Sequence, residues 1–450
     1  MTAYLVRSER VVLPDGIRPA TIHVLDGRIA AIGDHTDRAT GVPDIDAGAS
    51  IILPGLVDTH VHINEPGRTE WEGFGTATRA AAAGGVTTLV DMPLNSIPAT
   101  TSVAGLEAKR RAAEGQCHVD VGFWGGVVPG NLSDLAPLAR AGVRGFKCFL
   151  SPSGVEEFEH VSEKDLRDAM PTLAATGLPL LAHAEWPGLL SEPDGRADPR
   201  RYATWLNSRP ASAELAAIEL LIRLARHSRV HVHIVHLASA DALPAIAAAR
   251  AQGIPVTVET CPHYLAFFAE EITDGATAFK CAPPIRERRH QEGLWQALEE
   301  GLIDLVATDH SPAPPSLKHL DSGNFVEAWG GIASLQLSLA VMWTHAANRN
   351  FPISRLAQWM SAGPARLAGL DRVKGAIAVG RDADLVFFDP DAAATVDANR
   401  LYHRHPVTPY DGARLRGRVV TTMLRGEIIF DEGECRGPAR GRLIGHVNTA

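Results

Sequence analysis

Through the middle of the chain, short apolar runs alternate with longer stretches whose apolar positions recur at helical spacing. The runs read as strands: Leu56–His60, Val86–Asp91, His118–Phe123, Gly145–Leu150, Pro179–His183, Val230–His236, Val256–Glu259 and Leu305–Ala307. Helix-like stretches lie between them, among them Phe74–Ala83, Leu132–Arg140, Ala213–Arg226 and Ala240–Ala251. Several stop at glycine, as at Gly84-Gly85, Gly142 and Gly253, where a left-handed residue can close a helix. Regular strand–helix alternation implies parallel strands, and this number of repeats implies a sheet closed into a (β/α)8 barrel. A doubly wound open sheet is the other solution for such a pattern. It would place a glycine-rich phosphate turn after the first strand, and none is there.

Both ends of the chain lack helical periodicity. Tyr4–Leu13, Thr21–Leu25 and Arg28–Ile32 read as strands, the last two joined by an Asp26-Gly27 hairpin turn. After residue 370 come Asp384–Asp389 and a hairpin of Arg418–Leu424 with Glu427–Asp431 around Arg425-Gly426. The expected organisation is therefore a barrel over residues 55–370 inserted into a small β-sandwich domain built from 1–54 and 371–450. Two long connections, Ala184–Pro210 and His310–Gly331, follow strands that end in candidate ligands and are expected to shape a pocket.

Composition narrows the function class. The chain has 450 residues, enough for one large domain and a smaller one. Its net charge of -9 is spread without long runs, which argues against a nucleic-acid groove or an anionic membrane as partner. The 5 cysteines are scattered with no CxxC, so they read as reduced thiols. Charged residues occupy the place of a signal peptide's apolar stretch, and no run approaches a membrane span. A soluble cytoplasmic protein acting on a small molecule is expected.

Candidate chemistry gathers at the strand ends. Asp58-Thr59-His60-Val61-His62 closes the first barrel strand, and alternation projects His60 and His62 to one side. An HxH pair alone is a weak signal; the barrel context supplies the rest. Lys147 sits in the apolar strand Gly145-Phe146-Lys147-Cys148-Phe149. It can be an amine that snorkels or pairs with an acid, or one that has added CO2 to become a bridging carbamate. His183 ends Leu180-Leu181-Ala182-His183, and His236 ends the His231-Val232-His233-Ile234-Val235-His236 run. Alternation favours His236 as the ligand and turns His231 and His233 toward helices or solvent. Asp309 follows the last barrel strand and reads as metal ligand and proton carrier. Imidazole and carboxylate donors suit Zn2+, with Co2+, Mn2+ or Fe2+ open by ligand type. Two such metals would share a bridging hydroxide and polarise a carbonyl, with Asp309 as general base and acid. Hydrolysis of an amide-like bond is the chemistry expected.

This ordered set resembles the amidohydrolase superfamily, in its cyclic-amidase branch of dihydroorotases, dihydropyrimidinases (hydantoinases) and allantoinases. The stretches His62-Ile63-Asn64-Glu65-Pro66-Gly67-Arg68, Asp91-Met92-Pro93-Leu94-Asn95, Cys261-Pro262-His263-Tyr264, Pro283-Pro284-Ile285-Arg286, Asp309-His310-Ser311-Pro312 and Ala328-Trp329-Gly330-Gly331-Ile332-Ala333 look most like those of allantoinases. The resemblance implies a binuclear metal centre held by His60, His62, carboxylated Lys147, His183, His236 and Asp309. It further implies ring opening of allantoin to allantoate in purine degradation, and a homotetramer. Dihydroorotases carry an arginine where this chain has Asn64. Dihydropyrimidinases carry a tyrosine and an asparagine where it has Pro152 and Gly330. Asn95, His263 and the backbone near Ala282 and Gly331 are the candidate substrate contacts. A hydantoinase-type activity, or a scaffold that keeps the barrel without chemistry, are the alternatives; the complete ligand set weighs against the scaffold.

Overall fold

The computed structural model describes residues 3–193 and 195–445. Eight parallel strands surround one axis: Leu56–Val61, Val86–Asp91, Asp120–Phe123 continued at Gly125–Gly126, Phe146–Phe149, Leu180–His183, Val232–Ile234, Val256–Thr260 and Leu305–Val306. The ring closes where Val61 bridges His310 in parallel and the His62 N–H donates to the His310 carbonyl at 2.8 Å. A helix follows each strand, and the first, Phe74–Ala83, has the bounds that its alanine-rich spacing predicts. Glu163–Thr176 begins at a reciprocal cap in which Ser162 and Asp165 satisfy each other's backbone N–H, and ends at left-handed Gly177. Among the described residues no helix is long and apolar enough to cross a membrane.

Most of the observed strands are shorter than the apolar runs, which lose residues at the start (His118-Val119, Pro179), at the end (Ala307) or at both (Gly145 and Leu150). The run Val230–His236 shows the cost of extending alternation too far. Its strand is Val232–Ile234, with Val232 and Ile234 packed among helix residues such as Ile218 and Leu221. Val235 points the other way, into the interior cluster of Val57, Val90, Leu181 and Leu305. Strict alternation would therefore send His236 outward. A left-handed backbone at His236 (φ 41°) turns it back inside. His233 also departs from expectation: it is fully buried against the neighbouring strand rather than facing helices or solvent.

The terminal strands share one nine-stranded sheet. Ile51–Pro54 lies at its centre, parallel to Ala3–Leu13 and antiparallel to Leu385–Thr395. The sheet folds over a core of Val6, Ile22, Ile29, Ile52, Leu385 and Met423. Gly55 then links Ile51–Pro54 to the first barrel strand. A side chain there would meet Thr87 Cγ2 at 2.7 Å and Asp384 Cβ at 2.8 Å, so only glycine lets sheet and barrel approach this closely. Beside this junction a buried ion cluster ties the two bodies. Lys374 Nζ lies 2.7 Å from Asp120 on the third barrel strand, 2.9 Å from Asp382 and 2.7 Å from Asp384, and Arg425 pairs with Asp120 as well.

Candidate metal centre

All the expected ligand positions reach the C-terminal mouth of the barrel. His60 and His62 leave the first strand and aim both Nε2 atoms at one oxygen of Asp309, each at 3.3 Å. These three side chains place one ligand atom apiece within 4.8 Å of one another, a group that can hold a metal ion. Asp309 gets there by a left-handed backbone (φ 46°), the device also used at His236. On the other side of the mouth, His183 Nδ1 faces His236 Nε2 at 3.0 Å. The His60 and His236 rings lie 5.3 Å apart, which links the two groups. Lys147 is fully buried near both, its Nζ without a hydrogen-bond partner and 4.9 Å from the Phe149 ring centre.

The electrostatics favour ligand-competent states. Burial pulls His62, His183 and His236 below the ordinary imidazole range, toward the neutral form that binds metal. Burial would raise the Asp309 carboxyl, but His60 and His62 outweigh it and hold the group well below the usual range. Burial draws the Lys147 amine down to about 8, opposed by Glu259 and Asp309. An unpartnered buried amine is costly unless something completes it. Facing imidazole nitrogens, a shared carboxylate oxygen and an orphaned amine together fit a divalent-cation site better than a closed polar core.

Two carboxylates that the sequence reading missed orient these ligands. Glu259 is fully buried, bonded to His60 Nδ1 through one oxygen and to His233 Nε2 at 3.1 Å through the other. Burial raises its pKa, but His60 and His233 bring it down to about 2. Glu185 accepts from His183 Nε2 at 2.6 Å and takes a two-pronged hydrogen bond from Arg209. Each carboxylate leaves the opposite ring nitrogen free to ligate, as supporting carboxylates do around metal-bound histidines. Glu259 closes the expected strand Val256–Glu259, a strand-end position that could have flagged it. Glu185 stands two residues after His183, a spacing that could have flagged it.

Above the ligands opens a cavity of about 260 Å³, with His60, His62, His183, His236 and Asp309 at its floor. Of the expected substrate contacts, Asn95, Ala282 and Gly331 line it. Asn95 is left-handed (φ 64°), and its Nδ2 lies 3.4 Å from His62 Nδ1. His263 does not line the cavity: it is buried against Tyr264, with both ring nitrogens unpartnered. Asn64 is also outside the lining, its amide 3.5 Å from the Pro312 carbonyl. Trp205, Arg209, Lys280 and Trp329 line the cavity without having been singled out as contacts. The arrangement can hold a divalent cation against a small polar molecule.

Comparison with known proteins agrees with this geometry. The Amidohydrolase family model matches residues 51–429. An allantoinase of Streptomyces avermitilis is 53% identical over 98% of each chain. An allantoinase of Arabidopsis thaliana is 45% identical over 98% of this chain and 90% of its own. Among solved structures, the L-hydantoinase (dihydropyrimidinase) of Arthrobacter aurescens superposes with a TM-score of 0.93 at 32% identity, covering 99% of this chain and 100% of its own. Matched by the family model over residues 51–429 and by these relatives over nearly its whole length, the chain belongs to the amidohydrolase family.

Proposed function

We propose that this protein hydrolyses allantoin, opening the hydantoin ring to give allantoate. The observation that carries the reading is the 53% identity to the Streptomyces allantoinase across 98% of both chains. The hydantoinase likeness reaches a TM-score of 0.93 but stands at 32% identity.

In this reading His60, His62, Lys147, His183, His236 and Asp309 hold two divalent cations, for which zinc suits the nitrogen and oxygen donors. When bound, the cations supply Lewis acidity, acidifying a water and polarising the ring carbonyl. Lys147 takes part as a carbamate. Its depressed amine adds CO2 and loses a proton, which converts an orphaned nitrogen into an anion with two oxygens. Asp309 takes the proton of the attacking water and returns it to the departing ring nitrogen. One C–O bond forms, one C–N bond breaks, and the product carries the new carboxylate. Glu259 and Glu185 keep His60 and His183 in the orientation and tautomer this requires. The same reading takes 55–370 as the catalytic unit and 1–54 with 371–450 as its β domain, in a cytoplasmic homotetramer.

The deciding experiment is kcat/KM for allantoin, dihydrouracil and dihydroorotate on metal-loaded protein. A preference for allantoin of at least about a hundredfold, roughly 2.7 kcal/mol of transition-state discrimination, is expected. Preference for dihydrouracil would replace this reading with the hydantoinase one.

A further inference from the structure

Two buried lysines grip one wall of the cavity by its backbone. Lys318 Nζ donates to the carbonyls of Trp329 at 2.9 Å, Gly331 at 2.8 Å and Lys280 at 3.4 Å, which uses all three of its N–H bonds. Lys280 Nζ donates to Ala328 at 2.5 Å and Val326 at 3.0 Å, and lies 4.2 Å from the centre of the Trp205 ring. Neither has a carboxylate partner among the described residues, although both are nearly inaccessible.

Burying an ammonium without a counter-ion is unfavourable, and here it is done twice, by two lysines that grip the same short segment. What the pair achieves is a fixed backbone. Four carbonyls between Val326 and Gly331 are pinned, and the same segment is held by Trp329 N–H to Leu317 at 2.7 Å and Gly331 N–H to Lys280 at 2.8 Å. Gly331 closes the arrangement with a left-handed φ of 150°, where a side chain would press on Ser311. Glu327, Ala328, Trp329, Gly330 and Gly331 all face the cavity. Trp329 is wedged against the Trp71 ring at 4.8 Å.

Bond breaking takes place at the histidine–aspartate floor, so a group attached to the reacting ring meets the outer walls instead. We infer that Lys318 and Lys280 are specificity-determining positioning residues, which lock the Glu327–Gly331 wall in the shape that reads a neutral, planar ureido substituent. Such a group offers N–H donors and a carbonyl acceptor in one plane, so it is recognised by backbone and ring surfaces of fixed direction. The inference rests on the allantoin reading given above.

The test compares allantoin with hydantoin, the same ring without the arm, in metal-loaded parent, Lys318→Met and Lys280→Met proteins. Where hydantoin turns over slowly, its strength as a competitor replaces its rate. In both variants the value for allantoin should fall at least about tenfold more than that for hydantoin, mainly through KM, with bound metal unchanged. Equal proportional losses on the two compounds, or no loss, would overturn the inference. If Lys318→Met does not fold, Lys280→Met decides by the same ratio, since its ammonium lines the cavity edge. A parent that does not open allantoin would sink the underlying reading, and this inference with it, before either variant is made.

Discussion

The Nδ1 of His183 faces the Nε2 of His236 across 3.0 Å, while the far nitrogen of His183 is held at 2.6 Å by Glu185. The carboxylate decides the tautomer: with the proton on Nε2, Nδ1 presents a lone pair toward His236. Replacing Glu185 by glutamine removes the charge that enforces this choice and half of the Arg209 clasp. Glu185→Gln should weaken metal affinity by about 10–100-fold, with activity recovering as divalent metal is raised. Metal titration read by enzyme rate checks it; an unchanged titration curve would remove Glu185 from the centre.

Lys147 offers a sharper test of the carbamate. Its nitrogen is buried without a partner, so a neutral replacement loses no hydrogen bond and leaves only a cavity. If Lys147 serves as a carbamate, Lys147→Ala should nevertheless abolish turnover and reduce bound metal, because an anionic ligand is gone. Short carboxylic acids with excess metal should restore part of the rate by occupying the same space. Near-native activity without added acid would show that no carbamate is needed.

Much of this centre was legible in the chain because its parts stand at the ends of apolar runs. His60, His62, Lys147, His183 and Asp309 each follow or close such a run, and a barrel delivers run ends to one face. Strict alternation along Val230–His236 would not bring His236 to the mouth; a left-handed turn at His236 reverses its direction and does so. Period-2 reasoning cannot see such a turn, since nothing in a histidine codon position marks φ. Glu259 and Glu185 escaped because a carboxylate's role depends on which imidazole lies across the barrel, a contact between distant segments. Lys318 and Lys280 escaped for a similar reason: their partners are carbonyls, which carry no sequence signature at all. The β domain is readable from its turns, but its central strand Ile51–Pro54 is not among the expected strands, because only Gly55 separates it from the first barrel strand.

Asp309 is accessible to the cavity and shares one oxygen between His60 and His62. Asparagine in its place keeps the shape and an oxygen donor but cannot carry a proton. Asp309→Asn should retain bound metal while turnover falls by about 10²–10⁴-fold, the range of a lost general acid–base group. Metal analysis beside single-turnover rates separates the two effects, and an unchanged rate would assign proton transfer elsewhere.

Asp120 tests how barrel and sheet are joined. It sits on a barrel strand, yet its partners Lys374 and Arg425 come from the chain's C-terminal part. Burial alone would raise its carboxyl, but these two cations outweigh burial and hold it below its ordinary value of 3.8. A depressed folded-state pKa means that the unfolded chain binds the proton more readily as pH falls. The stabilisation is therefore complete above the unfolded value and is lost as pH drops through the folded one. Asp120→Asn leaves Arg425 without its carboxylate, while Lys374 keeps Asp382 and Asp384, and should cost about 1.5–3 kcal/mol near neutrality. As pH falls below the ordinary value of 3.8 the parent's unfolded chain takes up the proton first and its folded carboxylate only at lower pH, so the gap between the two proteins should narrow. Urea unfolding of parent and variant at pH 7 and at successively lower pH measures that gap directly. A difference that stayed constant on acidification would mean that the cluster acts through shape rather than charge.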